Sequence, residues 1–282
     1  MSSQLSVSNA FAGRPEFVRS SREAELQAEN DALVRMALAA RNGQLLAEEA
    51  LRRQTQALAL AAHELRSPLM PIRTVASLLE HVVDLDQLPR MGAVVARQVA
   101  HLARLVDDLL DASRVATGKL HLRRGRADLL DVIDQAIDTC RPAIDARRQH
   151  FVIDVPGQAA ALEGDAVRLV QVFTNLLQNA SKYTPAGGGL VLTCCVLEAC
   201  AGRAPTAVVT ISDNGIGISA ETLPLVFEPF VQDAHAVGFS KDGMGIGLTL
   251  VREIVLAHAG RVTAESPGAG MGSRFTVTLP LA

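Results

Sequence analysis

Apolar positions follow two regimes along the chain. From Glu16 to Ser67 there is no proline and a single glycine, Gly43, and Ala, Leu, Glu, Gln and Arg dominate. All are strong helix formers. A helix of that length exceeds an ordinary globular element and predicts a coiled coil. Leu58, Ala62, Leu65, Leu69, Ile72, Ala76 and Leu79 recur at spacings of 4 and 3, the a/d seam of a coiled coil. After a short break, VDLDQLPR, a second seam runs through Met91, Val95, Gln98, Leu102, Leu105, Leu109 and Ala112. Two antiparallel helices with one apolar stripe each form a hairpin that cannot cover both stripes by itself. Two copies are therefore expected to associate as a dimeric four-helix bundle, a homodimer.

Beyond Gly118 the pattern changes. Residues 128–149 predict a helix, HFVIDV a short strand and 165–182 another helix. LVLTCCVLEA and TAVVTISDN read as two strands of a hairpin, 246–259 as a helix and SRFTVTLPL as a final alternating strand. The fold class is α+β: a coiled-coil helix and antiparallel hairpin, then a sandwich with helices on one face of a sheet. The expected divisions are a disordered start at 1–15, a coiled-coil helix at 16–54, the hairpin at 55–118 and the α/β domain at 119–282.

Composition narrows the function. Hydrophobic residues make up 49% of the chain, with no Trp and one Tyr, so the core must be aliphatic. A net charge of -3 carries no nucleic-acid or anionic-membrane signature. No apolar run approaches the roughly 18 residues of a membrane span. The first residues lack a signal-peptide pattern, so a cytoplasmic location is expected. Cys140, Cys194, Cys195 and Cys200 form no paired CxxC motif and read as reduced structural thiols, with Cys194 and Cys195 on opposite strand faces.

Candidate chemistry begins at AAHELRSPLMPI, residues 61–72. With Ala62 and Leu65 in the seam, His63 falls on the bundle's flank. Glu64 can hold one imidazole nitrogen, leaving the other as a neutral nucleophile for a phosphoryl group. Pro68 and Pro71 leave the carbonyls of Glu64 and Ser67 without helical donors, at roughly 3 kcal/mol in an unbent helix, so a kink is expected one turn after His63. Taken alone, the pair also reads as an ordinary surface histidine on a coil.

Four stretches of the second half look like parts of one pocket. In QVFTNLLQNASKYTP, Asn175 and Asn179 lie one helical turn apart and offer neutral oxygens suited to Mg²⁺. Lys182 can neutralise phosphate charge, and Tyr183 offers a flat ring to a base. In SDNGIGI, Asp213 can accept from the exocyclic amine of adenine, and Gly215 and Gly217 let backbone approach the base. In GMGIGLTL, Gly243, Gly245 and Gly247 precede an apolar helix, a natural phosphate cradle. GAGMGSRF is a further glycine-rich loop before the last strand. Between the second and third stretches, Phe227 and Phe230 can anchor a polar, glycine-flanked lid.

These stretches, in this order, resemble a two-component sensor histidine kinase over about residues 55–282. AAHELRSPLMPI resembles the H box, QVFTNLLQNASKYTP the N box, SDNGIGI and GMGIGLTL the two glycine boxes, and FEPF the F box. The resemblance implies a dimerising phosphotransfer hairpin and an α/β sandwich of the Bergerat (GHKL) ATP-binding fold. It implies His63 as phosphoacceptor, Glu64 as the residue that orients or deprotonates it, and Asn179 with Asn175 as Mg²⁺ ligands. Lys182 resembles the phosphate contact, Tyr183 the adenine contact and Asp213 the adenine-amine acceptor. Ser67 stands where many relatives have Thr or Asn, a position associated with dephosphorylating the partner regulator. The implied activity uses ATP and Mg²⁺ to phosphorylate His63, with transfer to an aspartate of a separate response regulator. The chain reads as carrying neither receiver nor sensor segment, so input is expected from an upstream sensory protein or from the coil itself. The rival is a GHKL protein that does not phosphorylate histidine, against which the HELRSP-bearing hairpin argues.

Overall fold

The computed structural model describes residues 14–81, 85–116, 121–155, 160–198, 204–233, 236, 239 and 244–281. The expected disordered start therefore lies, through residue 13, outside the described residues, as do the reversal at 82–84 and Cys200. The chain divides into two compact units, Met1–Ala59 and Leu60–Ala282. In the first, helix α1 (Arg14–His81) exposes Leu33, Met36, Leu38, Leu45 and Leu51. No helix of the described residues is long and apolar enough to cross a membrane.

The second unit opens with the remainder of α1, whose helical assignment runs through Pro68 and Pro71. A short 3-10 turn, Leu85–Gln87, leads into α2 (Leu88–Ala116). Among the described side chains of α1, Ala61, Glu64, Pro68 and Val75 are buried, and of the seam positions Leu65 and Ile72 are half-buried while Ala62, Leu69, Ala76 and Leu79 are exposed. The seam expected on α1 is thus not the face this chain covers by itself. One chain packs only the flank next to its own elements, and a heptad seam needs a second helix pair to bury it. An apolar groove of about 720 Å³ is lined by Val75, Leu79, Met91, Val95 and Val99.

The remaining elements are β1 (Gly125–Asp128), α3 (Leu129–Ala146), β2 (His150–Asp154), β3 (Ala161–Gly164) and α4 (Ala166–Tyr183). They are followed by β4 (Gly189–Leu197), β5 (Thr206–Asp213), a 3-10 turn (Leu223–Leu225), α5 (Gly247–Ala257), β6 (Arg261–Glu265) and β7 (Ser273–Pro280). The main sheet has the order β2-β4-β5-β7-β6, with β2 parallel to β4 and the other pairs antiparallel. Strands β1 and β3 pair separately. Alternate residues of the central strands are buried: Leu190 and Leu192, Val209 and Ile211, Phe275 and Val277. The three helices bury their apolar faces in the same core. The α+β expectation therefore holds, with helices packed on one sheet face.

Asp128 and Asp165 begin α3 and α4 as N-caps, accepting from Leu130 N at 3.0 Å and from Arg168 N at 3.2 Å. Sequence periodicity passed over β1, β3 and β6. Each is short and lacks the consecutive Phe-Val-Ile run that marked the equally short β2. Cys194 is buried and Cys195 exposed, as alternation requires. Burial pushes the Cys140 and Cys194 thiols up to about 11, which disfavours thiolate chemistry at both.

Polar contacts near its start join α4 to α5 and α2. His258, buried after α5, accepts from Asp165 N at 2.9 Å through Nε2. Its Nδ1 lies 2.8 Å from the Ile254 carbonyl, which can only accept, so Nδ1 carries the proton and the ring is neutral. At the other contact, Asp111 of α2 is buried and takes a bidentate pair from Arg168, at 2.6 and 3.1 Å, and a bond from Gln171 at 3.1 Å. Burial pushes the Asp111 carboxyl up. Hydrogen bonds from Arg168 and Gln171 and the charges of Arg168 and Arg114 outweigh it, leaving the carboxyl below its usual value.

Replacing His258 by Leu strands the buried Asp165 N–H, while the Ile254 carbonyl keeps the backbone N–H of residue 258, and is expected to lower stability by about 2 kcal/mol in urea denaturation. The Asp111 contact has a defined pH sign. Because its pKa is depressed in the fold, its contribution is present above the unfolded value and is lost as pH falls through the folded one. Asp111→Asn is expected to destabilise by about 1 to 3 kcal/mol at neutral pH, with the gap to the unaltered chain closing in acid. Paired denaturation curves across pH check this.

Candidate active site

Helix α4 sets the site. Leu169, Val172, Phe173, Leu176, Leu177 and Ala180 are buried in the core. Arg168, Gln171, Asn175, Asn179 and Lys182 then fall along the remaining edge at spacings of 3 and 4. The N-terminal part of this stripe holds Asp111, and the C-terminal part opens into a cavity of about 550 Å³. Asn175, Asn179, Lys182, Tyr183, Asp213, Gly217, Gly245 and Gly247 all line that cavity, as do His101 and Leu105 of α2. The structure thus brings together most of the nucleotide-site residues read from sequence.

Asp213 ends β5 at the cavity. Its Oδ1 accepts from Gly215 N at 2.8 Å and its Oδ2 from Ser273 Oγ at 2.5 Å. Burial pushes its carboxyl above the usual value, and the bonds from Ser273 and Gly215 only partly offset this. Gly215 does not line the cavity. A Cβ there would collide with the Tyr183 carbonyl oxygen, so its role is close packing of the loop onto the end of α4. Gly217 has φ +68°, and a Cβ there would collide with the Gly268 carbonyl. Lys182 Nζ sits 4.7 Å from the Tyr183 ring centroid. Asn175 Nδ2 donates to the Gly247 carbonyl at 3.4 Å, tying the stripe to the start of α5.

Of the lid, residues 234–235, 237–238 and 240–243 lie outside the described residues, Gly243 among them. The described residues before it are held by two different means. Phe227 meets Phe275 edge-on, with centroids 6.3 Å apart and planes at 87°. Phe230 has φ +65° and donates its N–H to the Gly245 carbonyl at 2.9 Å. Phe230 also packs with Leu65 and Leu109 against a buried cluster of Ala61, Leu105, Met244 and Ile246. The hairpin therefore contacts the base of the lid. His63 lies on α1 two residues after Ala61, and its side chain is outside the described residues. Glu64 is buried, and Ser67 is exposed.

Four contributors escaped the sequence reading. Arg168 and Gln171 lie on the same stripe as the asparagines, so extending the 3-4 spacing one turn toward the start of α4 finds them. Ser273 follows the last glycine-rich loop, and only the β5–β7 register, pairing Asp213 with Ser273, reveals its role. Asp111 carried no local signal.

Comparison with known proteins agrees with this geometry. Residues 53–118 match the His Kinase A (phospho-acceptor) domain, and residues 164–282 the histidine kinase-, DNA gyrase B- and HSP90-like ATPase family. The chain is 32% identical over 224 residues to the alginate biosynthesis sensor protein KinB of Pseudomonas aeruginosa, covering 78% of this chain and 36% of that protein. It is 32% identical over 245 residues to the adaptive-response sensory kinase SasA of Thermosynechococcus vestitus, covering 83% and 61%. The chain thus spans less than two thirds of the length of these relatives. Among solved structures it is similar to the Acinetobacter baumannii histidine kinase AdeS, at 25% identity and TM-score 0.57, covering 78% of this chain and 98% of that one. It is also similar to ShkA in complex with AMPPNP, at 26% identity and TM-score 0.57, covering 81% and 46%. With a phospho-acceptor hairpin ahead of a GHKL ATPase domain, the chain belongs to the two-component sensor histidine kinases.

Proposed function

We propose that this chain is an ATP-dependent protein-histidine kinase that phosphorylates His63 and passes the phosphoryl group to an aspartate of a separate response regulator. One observation carries the reading: the polar edge of α4 and Asp213 open into one cavity, and α2 of the hairpin forms part of its wall. The neutral His63 imidazole attacks the γ-phosphorus. The bond from that phosphorus to the β–γ bridging oxygen breaks and ADP leaves, while Glu64 takes the imidazole proton. Asp213 accepts from the adenine amine, Tyr183 faces the base, and Lys182 with the backbone around Gly243, Gly245 and Gly247 receives the phosphates.

Mg²⁺ fits this donor set. Among the described residues no group of three or more His, Cys, Asp or Glu could cage a metal. The amide oxygens of Asn175 and Asn179 suit an ion that completes its shell with phosphate oxygens and water. When bound, it supplies charge neutralisation at the phosphates. We assign Ser67, exposed four residues after His63, to positioning water for dephosphorylation of the regulator.

The open seam positions Ala62, Leu69 and Leu79, beside the apolar groove, support a homodimer joined through the hairpin. We retain 16–54 as the signalling coil, 55–118 as the phosphotransfer hairpin and 119–282 as the ATP-binding domain, acting in the cytoplasm on input from an upstream sensory protein.

Incubation with ATP radiolabelled at the γ position is expected to give an acid-labile phosphate on the unaltered chain and none on His63→Gln. Retention of label at equal stoichiometry by that variant overturns the assignment. Asp213→Asn places a donor where two acceptor oxygens stand, and is expected to weaken ATP binding about tenfold in equilibrium titration.

A further inference from the structure

Helix α4 ends in an unusual way for the element that presents Lys182 and Tyr183. Its C-cap, Thr184, is extended, with φ -97° and ψ 133°. Pro185, and not a left-handed glycine, directly follows the cap; the first such glycine is Gly187, three residues on. Those carbonyls need donors from elsewhere. The corner between α3 and β2 provides them. Gln149 Nε2 lies 2.9 Å from the Ser181 carbonyl, 2.9 Å from that of Thr184 and 3.3 Å from that of Pro185. Arg147 Nη2 adds a bond to the Thr184 carbonyl at 3.0 Å. The Tyr183 carbonyl takes the N–H of Ile216 at 3.0 Å, which joins the same helix end to the loop that follows Asp213.

Gln149 is buried, and its orientation is fixed by chemistry. Carbonyls can only accept, so the amide nitrogen faces them, and Oε1 accepts from Ser181 Oγ at 2.7 Å. The backbone is strained to deliver this cap. Arg148, between the two capping side chains, has φ +53°, a conformation unfavourable for a residue with a Cβ. Gln149 lies outside both matched segments, 53–118 and 164–282.

We propose that Gln149, oriented by Ser181, is a positioning residue for nucleotide binding: its buried carboxamide caps the end of α4 from another element and thereby sets where Lys182 and Tyr183 enter the cavity. The inference rests on the nucleotide-site reading above.

The test is calorimetric titration of the full chain with Mg·ADP, and autophosphorylation rates against ATP concentration, below each variant's melting temperature. Gln149→Met keeps the volume and removes the donors. It is expected to weaken ADP binding and raise KM for ATP about tenfold, with kcat within about twofold of the unaltered chain. Ser181→Ala frees the carboxamide and leaves its buried Oε1 without this donor, a cost that better helix propensity partly offsets; it is expected to fold and, titrated below its own melting temperature, to bind about threefold more weakly. Should Gln149→Met fail to fold, Ser181→Ala decides alone. An unaltered chain that binds no Mg·ADP overturns the nucleotide-site reading itself. An unaltered chain that binds, with every folded variant binding equally well, or a fall in kcat at constant KM, overturns this inference only.

Discussion

Burial of one face of α4 governs the arrangement of the catalytic half. Leu169, Val172, Phe173, Leu176 and Leu177 are buried beneath the sheet, and Phe173 is among the largest fully buried side chains. Burying each such side chain is worth about 1.5 to 3 kcal/mol, far more than any single polar contact at the site. The helix therefore has no freedom to rotate. Once the apolar face is committed, geometry at 3.6 residues per turn places Asn175, Asn179 and Lys182 at the cavity. The site's polar groups are held by a core in which they take no part.

Glycines complete the cavity through contacts within the protein. The collisions that forbid a Cβ at Gly215, Gly217 and Gly245 are with the backbone of Tyr183, Gly268 and Val231. Loops from three places in the sequence are drawn together until only backbone separates them. Asp213 sits where these loops meet, held on both oxygens, so its orientation is fixed while its burial keeps charge there costly.

The hairpin is attached to this globule by far less. A buried cluster of Ala61, Leu105, Met244 and Ile246 and the Asp111–Arg168 pair make the connection, against a main core that draws on three helices and the sheet. Small apolar contacts and a single buried ion pair form the low-stability end of a structure, where motion between parts costs least. The function proposed for this chain, in which one part presents a residue to a nucleotide held by another, needs flexibility at that connection.

The sequence by itself determined the periodic elements and the chemistry carried at fixed spacing along them. The helices α1 to α5, the β4–β5 hairpin and the Asn175, Asn179, Lys182 stripe were all legible, because each depends on neighbours three, four or two residues away. Tertiary structure alone decided which flank of α1 is covered, that Ser273 completes Asp213, that Asp111 meets Arg168, and that Gln149 caps α4. These contacts join residues 32 to 60 positions apart. Local periodicity fixes which face of an element is polar, but the partner across space is chosen by how the elements pack, and no spacing along the chain records that.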